Sequence, residues 1–236
     1  MELFYVRPEN VSEHELILDD FERKHILSTL RKNVNDPLWV TDGQGGLYKG
    51  IIRQTAPRLI VEIAHREQKT EPRPTVTLAC GFIKQNRMDF ILEKGTELGV
   101  GRFVFFRSRF ANYFSPNTDR LYKVVRQALK QSLRFYLPEI KVYSSPDRFF
   151  DDDSGEKTRL VAIDSGYPLL RTLTDGKALK GESSVIIAIG PEGGFSAEEI
   201  ERFNNNGYKG FSLGPQRLRT ETAAIAAAAI VGQYIH

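Results

Sequence analysis

Residues 188–203 read AIGPEGGFSAEEIERF, and how they are parsed decides the architecture. An apolar run, Val185–Ile189, breaks at Gly190-Pro191, passes Glu192 and two further glycines, and then meets Ser196 with Glu199 three residues on. A continuous apolar run suits a strand covered on both faces, as in a parallel sheet. Ser196 and Glu199 form a capping box, so a helix starts there with Ile200 and Phe203 facing inward. Three glycines in five residues at a strand exit indicate that something approaches the backbone closely, because glycine has no Cβ to bar it.

The same signature returns at LGPQRLRTETAA, residues 213–224, after a short strand over Phe211–Leu213. Ligands in open α/β sheets bind outside the carboxyl ends of strands. One Gly-Pro exit reads as a tight turn. Two such exits, with Gly193 and Gly194 added, read as a pocket holding a small molecule through main-chain groups. Neither loop has the glycine spacing of a dinucleotide fingerprint or a phosphate loop. Glu192 repels phosphate, so an uncharged or zwitterionic adenosine compound fits better than a nucleoside triphosphate. Thr220 reads as the N-cap of the last helix, with Glu221 favourable to its dipole. Arg217 and Arg219 around Leu218 call for an anionic partner.

Working outward, strand and helix alternate from residue 75 onward. Strands are expected at Thr75–Phe82, Arg102–Phe106, Leu160–Ile163, Val185–Ile189 and Phe211–Leu213, giving about five. Helices are expected at Met88–Leu98, from residue 196, and over the alanine-rich Glu221–Ile235. Leu121, Val124, Val125, Ala128 and Leu129 recur at helical spacing and define another. Its polar side carries Arg120, Lys123, Arg126, Lys130 and Arg134 against the single acid Asp119, which suits either RNA phosphates or a solvated face. Gln127, Gln131 and Arg134 form a separate polar ridge. Lys84, Arg87, Glu93, Lys94 and Glu97 decorate the helix at 88–98 and its entrance. The alanines at 223, 224 and 226–229 allow close approach, either of another backbone within the chain or of a second copy.

Residues 1 to about 70 are β-rich, with strands at Leu3–Val6, Glu15–Leu18, Leu38–Thr41, Tyr48–Gln54 and Leu59–Ala64, and a hairpin loop at Asp42–Gly46. A helix over Asp20–Arg31 has Phe21, Ile26, Leu27 and Leu30 as its apolar set. This is a small mixed barrel or sandwich. His65–Pro74, polar with two prolines, reads as a linker, so a domain boundary falls near residue 72.

The 236 residues, 41% hydrophobic and 27% charged with net charge +3, suit a globular protein in one or two domains. No membrane-length apolar run and no secretory leader are read. Cys80 alone forms no internal disulfide, and a reducing cytoplasm is the expected location. Zinc-type clusters and a Ser-His-Asp arrangement are absent from the pattern, so no metal and no hydrolase chemistry are expected.

RMDFILEKGTELGV (87–100), ALKQSLRFYLPEI (128–140), IGPEGGFSAEEIE (189–201) and LGPQRLRTETAAIAA (213–227) together resemble the bacterial 16S ribosomal-RNA uridine N3-methyltransferase family of the SPOUT class. The likeness extends over nearly the whole chain. It implies a PUA-like RNA-binding barrel over residues 1–72 and an α/β methyltransferase domain with a deep trefoil knot over 73–236. It also implies a homodimer, S-adenosylmethionine as methyl donor, and a uridine of the small-subunit RNA as acceptor. The donor-binding residues it implies are Gly190, Pro191, Glu192, Gly193, Gly194, Leu213, Gly214, Leu218, Arg219, Thr222 and Ala223. For chemistry, Arg219 and Arg134 are candidates to stabilise the uracil imide anion, and Glu221 or Glu97 to accept its proton. RNA contacts are expected from Arg7, His25, Arg31, Arg87, Arg120, Lys123, Arg126 and Gln131. Two departures stand out. Family members often carry an arginine before the Phe-aromatic-Val segment, where this sequence has Met1-Glu2-Leu3, so that RNA contact is either missing or moved to Arg7. The turn KNVNDPLWV (32–40) replaces a glycine-aspartate turn. A non-catalytic dimeric RNA-binding protein, or an enzyme of this class acting on another RNA base, are the rival readings; a hydride-transferring dinucleotide enzyme lacks its fingerprint.

Overall fold

In the computed structural model the described residues are 2–73, 75–152, 155–163, 166–174 and 184–235. They fall into two compact units, 1–71 with 126–137, and 72–125 with 138–236.

The first unit is built on one five-stranded sheet. Its strands are β1 (Leu3–Tyr5), β2 (Glu15–Leu18), β3 (Pro37–Thr41), β4 (Gly46–Gln54) and β5 (Leu59–Gln68), in the order β1-β3-β4-β5-β2. β1 runs parallel to β3 and the remaining pairs are antiparallel. Phe4, Leu16, Leu38, Val40, Ile52 and Val61 meet in its core.

Several expectations are corrected here. The segment from His65 is not linker up to Gln68, because β5 continues and pairs with β4 as far as Gly46 opposite Gln68; Pro74, its other end, lies outside the described residues. Helix α1 (Asp20–Lys24) gives way to a wider π-type turn over His25–Thr29, in which the Leu30 N–H donates to the His25 carbonyl. That turn keeps Ile26 in the core but leaves Phe21 54% exposed, and Glu22 is buried in its place. The turn at 32–40 achieves its reversal without glycine: Arg31 and Asn35 adopt left-handed backbone, and the Asn33 N–H donates to Asp36.

The second unit is a six-stranded, fully parallel sheet. It comprises β6 (Val76–Gly81), β7 (Val100–Phe106), β8 (Glu139–Tyr143), β9 (Thr158–Ala162), β10 (Val185–Ile189) and β11 (Lys209–Phe211), in the order β11-β9-β10-β6-β7-β8. β8 is the strand that the sequence pattern does not announce. It is an edge strand with one fully buried residue, Ile140, so it lacks the apolar run of its neighbours.

Helices cover both faces. α2 (Gln85–Glu97) and α7 (Thr220–Ile235) pack on one another and on the central strands β6, β7 and β10. Small residues permit this. A Cβ at Gly95 would meet the Phe103 ring at 2.7 Å, and Ala223, Ala224, Ala227 and Ala228 are buried on α7. The alanine face is thus used within the chain. On the opposite face lie α4 (Pro146–Phe150) and α6 (Ala197–Asn205), where Phe149, Phe203 and Tyr208 pack with Phe106, Val161 and Ile186. α5 (Leu170–Thr174) packs beside α7.

Helix α3 (Thr118–Gln131) has its last turns in the first unit. Residues 126–137 thus group with the first unit. The reason is local bonding: Lys130 pairs with Glu22, Arg126 lies over the Tyr5 ring, and the Leu137 N–H donates to the Gly43 carbonyl.

Phe203 is fully buried, with Phe149, Phe150, Phe195 and Tyr208 around its ring. Phe203→Ala should destabilise the protein by about 3–5 kcal/mol, the range for deleting a buried aromatic, measured by chemical denaturation. A loss below about 1 kcal/mol would show that this cluster is not a core.

Candidate functional site: a main-chain cleft at three strand exits

Neighbouring strands β11, β9 and β10 all end on one edge of the second sheet, and a cavity of about 310 Å³ lies against their exits. Its walls are the loop 190–195, the loop 212–218, the end of β9 at Ala162 and Ile163, and the start of α7 at Thr220 and Ala223. Much of that wall is main chain because the local sequence removes side chains. A Cβ at Gly190 would sit 3.0 Å from the Gly194 carbonyl carbon and 3.3 Å from the Phe195 nitrogen. Gly194 and Gly214 have φ of +74° and +125°, which side-chain-bearing residues rarely adopt. The Gly194 N–H donates to the Pro191 carbonyl at 2.8 Å, closing the turn.

A side-chain bond ties the first loop to the start of α7. The Thr220 hydroxyl donates to the Gly190 carbonyl at 2.9 Å. This corrects Thr220 as an N-cap: its oxygen is used across the cleft, and the first helical bond of α7 runs from the Ala223 N–H to the Arg219 carbonyl. By contrast, the capping box at Ser196 and Glu199 is formed, and Glu199 also accepts from the Arg109 N–H at 2.9 Å.

A small ionic cluster stands at one side. Arg87, from the first turn of α2, donates to Glu192 at 2.9 Å and lies 3.6 Å from Glu221. The second oxygen of each carboxylate is buried with no hydrogen-bond partner. Two carboxylates share the Arg87 guanidinium. Arg217 donates to the Glu192 carbonyl at 3.3 Å.

Of the donor-binding expectations, Gly190, Pro191, Glu192, Gly193, Gly194, Leu213, Gly214, Leu218 and Ala223 line the cavity. Arg219 and Thr222 are exposed and lie outside its lining. Sequence reasoning misses Arg217, Phe195, Gln216 and the end of β9 as lining residues. Arg217 is within its reach, since both arginines around Leu218 call for a partner; only the turn geometry distinguishes which faces inward.

The remaining candidates are dispersed. Arg87 is engaged by Glu192 and Glu221, and Arg120 is paired with Asp89 at 2.6 Å. Lys123 is exposed on α3, and Glu97 pairs with Lys94 at 2.9 Å. Arg7, His25, Arg31, Arg126, Gln131 and Arg134 belong to the first unit. Arg7 lies 3.8 Å from Glu9, Arg31 is exposed, and burial lowers the pKa of Arg134. His25 and Gln131 line a second cavity, together with Phe4, Phe21, Gln127 and Lys130. Among the described residues no cluster of His, Cys, Asp and Glu could hold a metal ion, and no helix is long and apolar enough to cross a membrane.

Fold and cleft define an α/β methyltransferase domain: the family model for the RNA methyltransferase domain matches residues 69–232. A ribosomal RNA small subunit methyltransferase E from Aquifex aeolicus is 30% identical, over 92% of this chain and 93% of its own. Among solved structures, a probable rRNA-methyltransferase from Porphyromonas gingivalis is 32% identical with a TM-score of 0.86, covering 99% of this chain and 98% of that one. A ribosomal RNA small subunit methyltransferase E from Neisseria gonorrhoeae, solved bound to S-adenosyl methionine, is 27% identical with a TM-score of 0.83, covering 99% and 97%. The chain belongs to the ribosomal RNA small subunit methyltransferase E family.

Thr220→Val keeps the side chain's volume but strands the Gly190 carbonyl. The expected cost is about 1–3 kcal/mol of stability, with hydrogen exchange rising in loop 190–195. Unchanged exchange and melting would show that the two loops hold their positions independently.

Proposed function

We propose that this protein transfers a methyl group from S-adenosylmethionine to N3 of one uridine in 16S ribosomal RNA of the small ribosomal subunit. The observation that carries the reading is the main-chain cleft where β9, β10 and β11 end, in a chain of this family.

The residues present fit that donor. An adenosine compound needs close access to N–H and C=O groups, which Gly190 and Gly214 supply by lacking side chains. Leu213, Leu218, Ile189 and Ala223 offer apolar walls for the adenine. A sulfonium and an amino group are cations, and the carboxylates of Glu192 and Glu221 beside the cleft complement them. When bound, the donor supplies a methyl group already activated on positive sulfur, with a neutral thioether as leaving group.

The chain's own tasks are alignment and charge control. Loops 190–195 and 212–218 fix the donor's direction. Glu221 is the proposed acceptor of the N3 proton, because its second oxygen is buried and unpartnered, with Glu97 the alternative. Arg219 is exposed at the cleft's rim, available to an incoming uracil anion, and Arg134 is the second candidate for that role. Thr222, also exposed at the start of α7, completes the proposed donor set.

We further propose that residues 1–72 form a PUA-like RNA-binding domain and 73–236 a trefoil-knotted SPOUT domain. In support of the knot, the chain leaves β11 at the sheet's edge and returns through loop 212–219 to α7, which packs on β6 and β10. Phe90, 43% exposed on α2, and the half-buried Ile225 and Ile230 on α7 leave apolar surface for a second copy, supporting a homodimer. Arg7, His25, Arg31, Arg120, Lys123, Arg126 and Gln131 are proposed to contact RNA, and the cytoplasm, where subunits assemble, is the proposed location.

Incubating small subunits with labelled donor and this protein, followed by mass spectrometry of the RNA, should show one methylated uridine. Label on another base, or none, would overturn the assignment. Arg219→Ala should retain donor binding by calorimetry and lower turnover by about 10²-fold or more, the scale for losing one anion-stabilising donor. Undiminished turnover would remove Arg219 from the mechanism.

A further inference from the structure

The cleft at the strand exits holds one charge of each sign. Among its described lining residues Arg217 is the sole cationic side chain and Glu192 the sole anionic one. The rest of the wall is glycine, apolar side chains and neutral polar groups. Backbone N–H and C=O groups can match hydroxyls and the edge of a base, but they cannot neutralise a full charge. A charged group taken out of water needs a partner of opposite sign.

The two charges are not each other's partner. The Glu192 carboxylate accepts from Arg87 at 2.9 Å, and its second oxygen is buried with no hydrogen bond. Arg217 instead donates to the Glu192 main-chain carbonyl at 3.3 Å, its one hydrogen bond among the described residues. That is a long bond to a neutral acceptor, and a guanidinium has five N–H donors to place. Loop 212–218 supplies the arginine and loop 190–195 its anchor, so the fork is held where the two loops meet. Arg219, two residues on, is also exposed but stands outside the lining. Turn geometry thus separates two arginines that the sequence leaves equivalent, and it gives only Arg217 a place in the cleft.

We propose that Arg217 binds the carboxylate of the methyl donor's amino-acid tail and makes the cleft selective for donors that carry it. A planar guanidinium matches a carboxylate bidentately, and such charge-assisted pairs are the strong ones. Glu192 supplies the opposite sign for the tail's ammonium, so a zwitterion meets one charge of each kind while main chain holds the nucleoside. Adenosine and tail-less thioether nucleosides share the nucleoside contacts and lack the ionic one, so they are discriminated by charge. The inference rests on S-adenosylmethionine being the donor.

Calorimetry on the full chain tests it with two ligands, S-adenosylmethionine and its decarboxylated analogue. They share the adenosine, the sulfonium and the amino group and differ in the carboxylate alone. The unaltered protein should bind the analogue about tenfold or more weakly, the scale of losing hydrogen bonds to a charged group. Arg217→Ala should weaken S-adenosylmethionine by that same factor and leave the analogue unchanged, abolishing the discrimination. Arg217→Lys should restore part of it, and Arg219→Ala should keep it whole. Equal weakening of both ligands by Arg217→Ala would overturn the proposal, because it marks an arginine that merely props its loop. Undiminished affinity for S-adenosylmethionine in that variant would overturn it too, leaving the donor reading intact. Binding of neither ligand to the unaltered protein would strike the donor reading itself, and the role of Arg217 with it.

Discussion

The hydrogen bond from the Thr220 hydroxyl to the Gly190 carbonyl is the constraint on which the cleft depends. Gly190 ends β10 and Thr220 opens α7, thirty residues further on, so this bond fixes where two strand exits stand relative to one another. It works only because neither partner carries bulk there. Gly190 sits so close to Gly194 and Phe195 that a Cβ would crowd them at 3.0 and 3.3 Å, and Gly81 of β6 lies so close to Pro191 that a Cβ would meet its nitrogen at 2.8 Å. The loop is therefore pinned from two sides by backbone contacts. A cleft built this way pre-organises its polar groups without long side chains that must be ordered on binding.

That geometry also explains why the charged residues nearby are few and shared. Arg87 reaches from α2 to both loops, touching Glu192 in the first and Glu221 at the start of α7. One guanidinium serving two carboxylates ties α2 to both. Removing either carboxylate would leave the arginine one partner; removing the arginine would leave two partly buried anions facing one another, the costlier change. The same residue that looks available for RNA in the sequence is thus committed to the architecture of the site.

Much of the cleft is legible in the amino-acid sequence alone. The apolar run ending in GPEGG, the capping box at Ser196 and the second Gly-Pro exit locate it correctly, because continuous burial and glycine at a strand end leave strong marks in sequence. Other features leave weak marks. β8 is an edge strand with one deeply buried residue, so EIKVY looks like loop. Helical spacing puts Phe21 in the core, yet the π-type turn after Lys24 breaks the 3.6-residue period on which that inference relies. The role of Thr220 is invisible because capping is a local pattern and its partner is thirty residues away. Arg217 and Arg219 are equivalent in sequence, and only the turn makes one a cavity residue.

The cavity at the strand exits and the one beside Phe21 are built on different physical rules. At the strand exits the walls are backbone and small apolar groups, suited to a compact ligand of fixed shape that recurs in every turnover. Around Phe21 the walls are an exposed ring, two amides and a lysine fixed by a buried glutamate. A rigid, glycine-built cleft gains selectivity from shape; a side-chain-built one can adjust its contacts to what it meets.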